Sequence, residues 1–279
     1  MRVPLFLVLA LLGAACGTPT PPKVDAGLTE DAGVDAGPLQ VCLADTVDAG
    51  AASDAGWDGG YDFSCRGRAA MRGGQAELVI AGFVTRAGFA RTPMADIRVD
   101  LLTASGSVLA TQLSDDAGNY RLTFDAGCEP LNGEVRATHP SPDAGFYVSY
   151  SIPAAPWIRD RSSLEIFMFD PPTSGLVAAL AGVTITDGGV LALHVADCDG
   201  TAVSGAVIST AGDAGVVRYV GANGLPSSTA TATNSSGDAL IFNLPGTSVE
   251  VTATLDGGVI GARIVVVHPN AVSGSTITP

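Results

Sequence analysis

From Gln75 onward the chain alternates apolar and polar residues with period two, and this constrains its fold more than any other feature. Ile97-Arg98-Val99-Asp100-Leu101 alternates, as do Tyr120-Arg121-Leu122-Thr123-Phe124 and Leu164-Glu165-Ile166. Successive side chains of a strand point to opposite faces, so such runs bury one face and wet the other. Gly, Pro, Asp and Asn punctuate the runs roughly every ten residues, the spacing of a sandwich and not of βαβ units. One short helix is expected around Ser174 to Ala181. The expected fold class is all-β: two tandem Greek-key β-sandwich domains, with a short helix between them.

Internal repetition marks the second domain. Thr92-Pro93-Met94-Ala95-Asp96-Ile97-Arg98-Val99 parallels Thr201-Ala202-Val203-Ser204-Gly205-Ala206-Val207-Ile208. Asp115-Asp116-Ala117-Gly118-Asn119-Tyr120 parallels Asn234-Ser235-Ser236-Gly237-Asp238-Ala239. Glu134-Val135-Arg136-Ala137-Thr138 parallels Glu250-Val251-Thr252-Ala253-Thr254. The separations differ between copies, so the loops vary while strand order persists.

This order of turn and strand motifs resembles the carboxypeptidase regulatory-like domain, a small transthyretin-type or Cna-B-type β-sandwich. The resemblance covers Gln75–Asp170 and Gly189–Pro279. It implies a spacer, stalk or accessory module and does not by itself specify a function. Some Cna-B-type domains cross-link a strand lysine to Asn or Asp. The single lysine here is Lys23, upstream of both sandwiches, so covalent reinforcement falls to the cysteines.

The N-terminus reads as an export leader. Met1-Arg2 is followed by an apolar run from Val3 to Leu12, then Gly13-Ala14-Ala15-Cys16. The run is short of the ~20 residues that span a bilayer. Leu12 to Cys16 resembles the bacterial lipobox, with Gly13 where Leu is usual. The resemblance implies lipidation (diacylglycerol and palmitate) of Cys16 and cleavage before it. Each buried acyl CH₂ contributes about 0.8 kcal/mol, and two or more chains anchor stably. Gly17 stands where an Asp commonly signals inner-membrane retention, so the expected localisation is the cell outer membrane, on either face.

From Gly17 to about Gly60, Asp-Ala-Gly recurs at Asp25, Asp31, Asp35, Asp48 and Asp54. Uncompensated acid and few large apolar residues do not offset the entropy of ordering, so this tether is expected to stay unfolded. A coil of about 45 residues spans on the order of 35–40 Å. Such tracts after a lipobox resemble myxobacterial lipoproteins. The expected division is a leader at 1–15, a lipidated tether at 16–74, sandwiches at 75–170 and 189–279, and a connector at 171–188.

A formal charge of −14 disfavours nucleic acid as a partner. With Cys16 committed to lipid, Cys42, Cys65, Cys128 and Cys198 form an even set, expected as disulfides in an exported chain. The expected pairs are Cys42–Cys65 and Cys128–Cys198, with Cys65–Cys128 as the rival. No Gly-x-Ser-x-Gly, His-Glu-x-x-His or phosphate-loop motif occurs, and no Cys-x-x-Cys. His139, His194 and His268 have no ligand at metal-binding spacing and read as structural or surface residues. The acidic turns Asp115 to Asn119 and Asp197 to Gly200 read as hairpin turns before calcium loops. Of the two tryptophans, Trp57 lies in the tether and Trp157 in the first domain, so a glycan platform has little support.

Neither a cofactor nor a metal is expected. The leading reading is a non-catalytic lipoprotein, held to the membrane by lipid, whose sandwiches form a structural or interaction module. A surface protein recognising a peptide, glycan or protein partner comes second, and an exported hydrolase with a dispersed site third.

Overall fold

A computed structural model describes residues 60–66, 74–88 and 91–279. Leader, lipobox, Cys16, Cys42 and most of the tether lie outside the described residues. The fold is all-β. The first sandwich comprises β1 (Glu77–Arg86), β2 (Thr92–Pro93), β3 (Arg98–Thr103), β4 (Val108–Leu113), β5 (Asn119–Asp125), β6 (Gly133–Thr138), β7 (Val148–Ile152) and β8 (Arg161–Met168). Helix α1 (Pro171–Ala181) follows. The second comprises β9 (Gly189–Val195), β10 (Val207–Thr210), β11 (Val216–Val220), β12 (Pro226–Ser227), β13 (Asp238–Leu244), β14 (Ser248–Leu255), β15 (Gly258–Val266) and β16 (Ala271–Ile277).

The copies share one plan. β1 is flanked by antiparallel β5 and parallel β8, and β9 by antiparallel β13 and parallel β16. Each core is filled by the inward half of the alternation. Val99, Leu101, Tyr120 and Leu122 enter the first core, and Leu191, Leu193, Val251 and Ala253 the second.

The repeated motifs are identical in their hydrogen bonds. Ser114 Oγ accepts from Ile97 N (2.9 Å) and donates to Met94 O (2.7 Å). Thr233 Oγ1 accepts from Ala206 N (2.9 Å) and donates to Val203 O (2.7 Å). Gly118 and Gly237 lie at φ +79° and +70°, and a Cβ on either would stand 2.5 Å from the carbonyl of Val84 or Val195. Both positions demand glycine.

The sandwiches are not separate beads. Strands of both form one nine-stranded sheet in the order β12-β11-β13-β9-β16-β7-β6-β3-β4. The join is a parallel pairing of β16 with β7, from Ala271 opposite Val148 to Ser275 opposite Ile152. Each strand would otherwise be an open sheet edge, a template for unwanted pairing. The copies are inverted. β9 and β7 both run toward the end of the molecule where β16 finishes, whereas β1 starts from that end.

Helix α1 begins earlier than the expected Ser174. Asp170 caps it, accepting from Thr173 N at 2.8 Å, Pro171-Pro172 fill the first turn, and Gly182 closes it in the left-handed region. Ala178 and Ala181 pack on Leu240 and Phe242, covering the outer face of the shared sheet on the second sandwich.

Candidate functional site at the junction of the two sandwiches

Small polar residues line the β7–β16 seam. Ser149 Oγ donates to Phe167 O (2.7 Å) and Ser275 Oγ to Ile152 O (3.2 Å), while Ser273 is fully buried.

Beside the seam a polar cluster occupies the outer face of the first sandwich. Asp100 on β3 is completely buried and accepts from Thr111 Oγ1 (2.7 Å), Arg98 Nε (2.9 Å) and Arg136 Nη2 (2.7 Å). Burial alone would raise its pKa, but the bonds from Thr111, Arg136 and Arg98 outweigh it and hold the carboxyl below its ordinary value. Next to Arg136 stands Tyr150, whose hydroxyl is raised by burial, opposed by Arg136 and reinforced by Glu134.

His268, from the β15–β16 loop of the second sandwich, closes the cluster. Its ring stacks on Tyr150 with centroids 3.8 Å apart, and Nε2 is 3.0 Å from Glu134 Oε1. The result is a clasp between sandwiches built from groups more than a hundred residues apart in the chain.

A second link is covalent. Cys65 is bonded to Cys198 (S–S 2.10 Å, Cα–Cα 5.7 Å). This corrects all three expected pairings: Cys65 is joined neither to Cys42 nor to Cys128, and Cys198 is not joined to Cys128. Cys128 is disulfide-bonded too, with its partner outside the described residues. The error has a physical origin. A short loop closes at least entropic cost, but here the pairing follows from docking. Tyr61 and Phe63 pack against the second core, and Tyr61 Oη accepts from Ser204 N at 2.9 Å. Asp62 N donates to Asp197 Oδ2 (3.1 Å), and Asp62 O accepts from Cys198 N (2.8 Å). Within the stretch expected as coil, residues 60–66 are thus built into the second sandwich.

The acidic turns are occupied by their own backbone. Asp197 Oδ1 accepts from Asp199 N (3.0 Å) and Thr201 N (2.7 Å). Asp115 accepts from Ala117 N and Asn119 N, at 3.0 and 2.7 Å. Among the described residues no group of three His, Cys, Asp or Glu is placed to hold a metal ion.

Space supplies the histidines with partners that spacing did not reveal. His194 Nδ1 lies 2.9 Å from Asp238 Oδ1 across the β9–β13 pair. Thr276 is its register neighbour on β16. His139 stacks on Phe146 at 5.1 Å, with Nδ1 3.1 Å from Ser141 N and O. Trp157 is buried in the first core and unavailable to stack on a sugar.

No protein-family model matches the sequence, and no curated protein matches it. Among solved structures the chain is similar to the Bacillus anthracis TIE protein (11% identity, TM-score 0.27, covering 73% of this chain and 34% of that one). It is also similar to shaft pilin spaA from Lactobacillus rhamnosus GG (12%, 0.22, 71% and 96%) and to a streptococcal ancillary pilin (10%, 0.23, 73% and 63%). This chain thus spans about a third of the TIE protein's length. The sandwich architecture is defined by the strand pairings of this chain, and at these scores the likeness carries no functional inference.

Proposed function

We propose that this chain is a non-catalytic, lipid-anchored protein of the bacterial outer membrane whose two fused sandwiches act as one stiff structural or interaction module. The observation that carries the reading is the nine-stranded sheet common to both sandwiches. An interface of paired backbone resists hinge motion better than a linker between two beads. The leader, the lipobox ending at Cys16 and the acidic tether support anchoring. Among the described residues no helix is long and apolar enough to cross a membrane.

Metabolic labelling with an alkyne-bearing palmitate tests the anchor. Wild type takes the label and Cys16→Ala does not, and equal labelling of both removes the lipoprotein reading. Chemical crosslinking in intact cells then separates a pure scaffold from a module that recognises one partner, since a stoichiometric adduct is expected only for the latter.

A further inference from the structure

β15 stands at the margin of its three-stranded sheet. Among the described residues it pairs with β14 alone. Its nine residues make it longer than any other strand at a sheet margin. β10, at the opposite margin, has four, and β2 and β12 have two each. β15 is also apolar on both faces. Val259, Ile264 and Val266 are exposed, Ile264 to 68%, while Ile260 and Val265 are buried in the second core. Strands of that composition normally lie inside a sheet. At a margin, a long apolar strand is a template on which another chain can pair.

One charge interrupts the run, and it points inward. Arg263 follows Gly261 and precedes Val265 on the core-facing side, and its register partner on β14 is the fully buried Val251. Burial works against the charged guanidinium and lowers its pKa. Nη1 donates to Thr276 O at 3.4 Å, and among the described residues Arg263 forms no ion pair. A leucine or valine would fill such a position at lower cost, so packing within one chain does not account for the arginine.

We infer that Arg263 guards the β15 edge against pairing with the β15 edge of a second copy of the chain. Its guanidinium lies between β15 and β16, strands of opposite sheets. A strand added along β15 would close over that gap and leave a buried cation with no acid beside it. An inward charge on an edge strand penalises unwanted pairing in this way. A second copy is the partner to be excluded, because an antiparallel β15–β15 contact is self-complementary and satisfies the same edge on both chains. Arg263 is near the middle of the strand, so that contact would also bring two guanidiniums close together. Without the arginine, the run from Val259 to Val267 carries no charge to oppose pairing.

Sedimentation equilibrium of the full chain tests this, in a Cys16→Ala background so that no lipid contributes. The parent chain and Arg263→Lys are expected to stay monomeric as concentration rises. Arg263→Leu is expected to move toward twice the monomer mass, although losing a cation makes an acidic chain more self-repulsive. Ile264→Lys added to Arg263→Leu puts a charge back on the same strand, on its exposed face, and is expected to restore the monomer. Hydrogen exchange locates the contact: amides of 258–266 should slow as Arg263→Leu associates. An Arg263→Leu chain that stays monomeric, or a parent chain already paired through β15, would overturn the inference. Association that Ile264→Lys does not reverse would overturn it too. The urea midpoint separates a guard from a packing residue. Arg263→Leu in dilute solution is expected to match or exceed the parent, and a lower midpoint would show that the guanidinium holds the fold and sink the inference equally.

Discussion

His268 lies flat against Tyr150 with their planes 13° apart, although one belongs to the second sandwich and the other to the first. An offset aromatic pair contributes about 0.5–1.5 kcal/mol beyond its buried area, and the bond to Glu134 about 1 more. His268→Ala is therefore expected to cost about 1–2 kcal/mol in urea unfolding. Loss at the clasp alone should also raise protease cutting in the connector at 182–188 while both sandwiches stay folded. An unchanged cutting rate would show that the β7–β16 seam holds the halves together without the clasp.

Asp100 sets an acid limit on stability. Its carboxyl is held below the ordinary value when folded, so its contribution is complete above the unfolded value of about 3.9 and is lost as pH falls through the folded one. Asp170 shifts the same way: burial opposes ionisation, but the bonds from Thr173 and Arg86 win. Asp100→Asn is expected to cost about 2–3 kcal/mol at pH 7, below the full figure for a buried pair because Arg98 is half exposed. The gap between wild type and variant should narrow as pH falls below the unfolded value of about 3.9 in denaturant titrations. A gap that is constant with pH would mean the carboxylate charge is not the stabilising element.

Two glycines separate backbone strain from steric clash. Gly106 at φ +83° has open space where a methyl would stand, whereas Gly118 at φ +79° faces Val84 O at 2.5 Å. Gly106→Ala should cost about 1 kcal/mol for the left-handed conformation alone. Gly118→Ala should cost at least about 2–3 kcal/mol, since the turn must also pull away from β1. Thermal melts showing the same loss for both would contradict the close approach.

Thr233 offers a hydroxyl rather than a shape. Thr233→Ser keeps the bonds from Ala206 N and to Val203 O and should be nearly neutral, as Ser114 does the same work in the first copy. Thr233→Val leaves two buried backbone groups without partners and should cost about 2–4 kcal/mol. Equal stability of the two variants, measured by urea midpoint, would show the hydroxyl to be dispensable.

The duplicated turns were legible in the sequence because their chemistry is local. A turn-former at Asp115 or Asn234 and a glycine at Gly118 or Gly237 are each required within a few residues, whereas the hydroxyl bonds of Ser114 and Thr233 emerge only from the fold. Helix α1 was legible from Ser174 onward, whereas its start at Pro171, set by the Asp170 cap and two prolines, was not anticipated. The seam was not. β16 reads Ala-Val-Ser-Gly-Ser-Thr-Ile, and nothing in that run marks a strand covered on both sides. Close packing against β7 selects small residues there in place of the bulky apolar ones by which interior strands are usually known. Glu134 and His268 were equally hidden, since their partnership depends on a seam that no spacing rule describes.

The seam also fixes the order of biogenesis. β7 and β9 emerge from the ribosome well before β16, their common neighbour. Until that last strand arrives, both present unpaired backbone to whatever is nearby. A chain of such long-range pairings folds slowly. Any stop codon before Ala271 should therefore yield an aggregating product and not a shorter working protein.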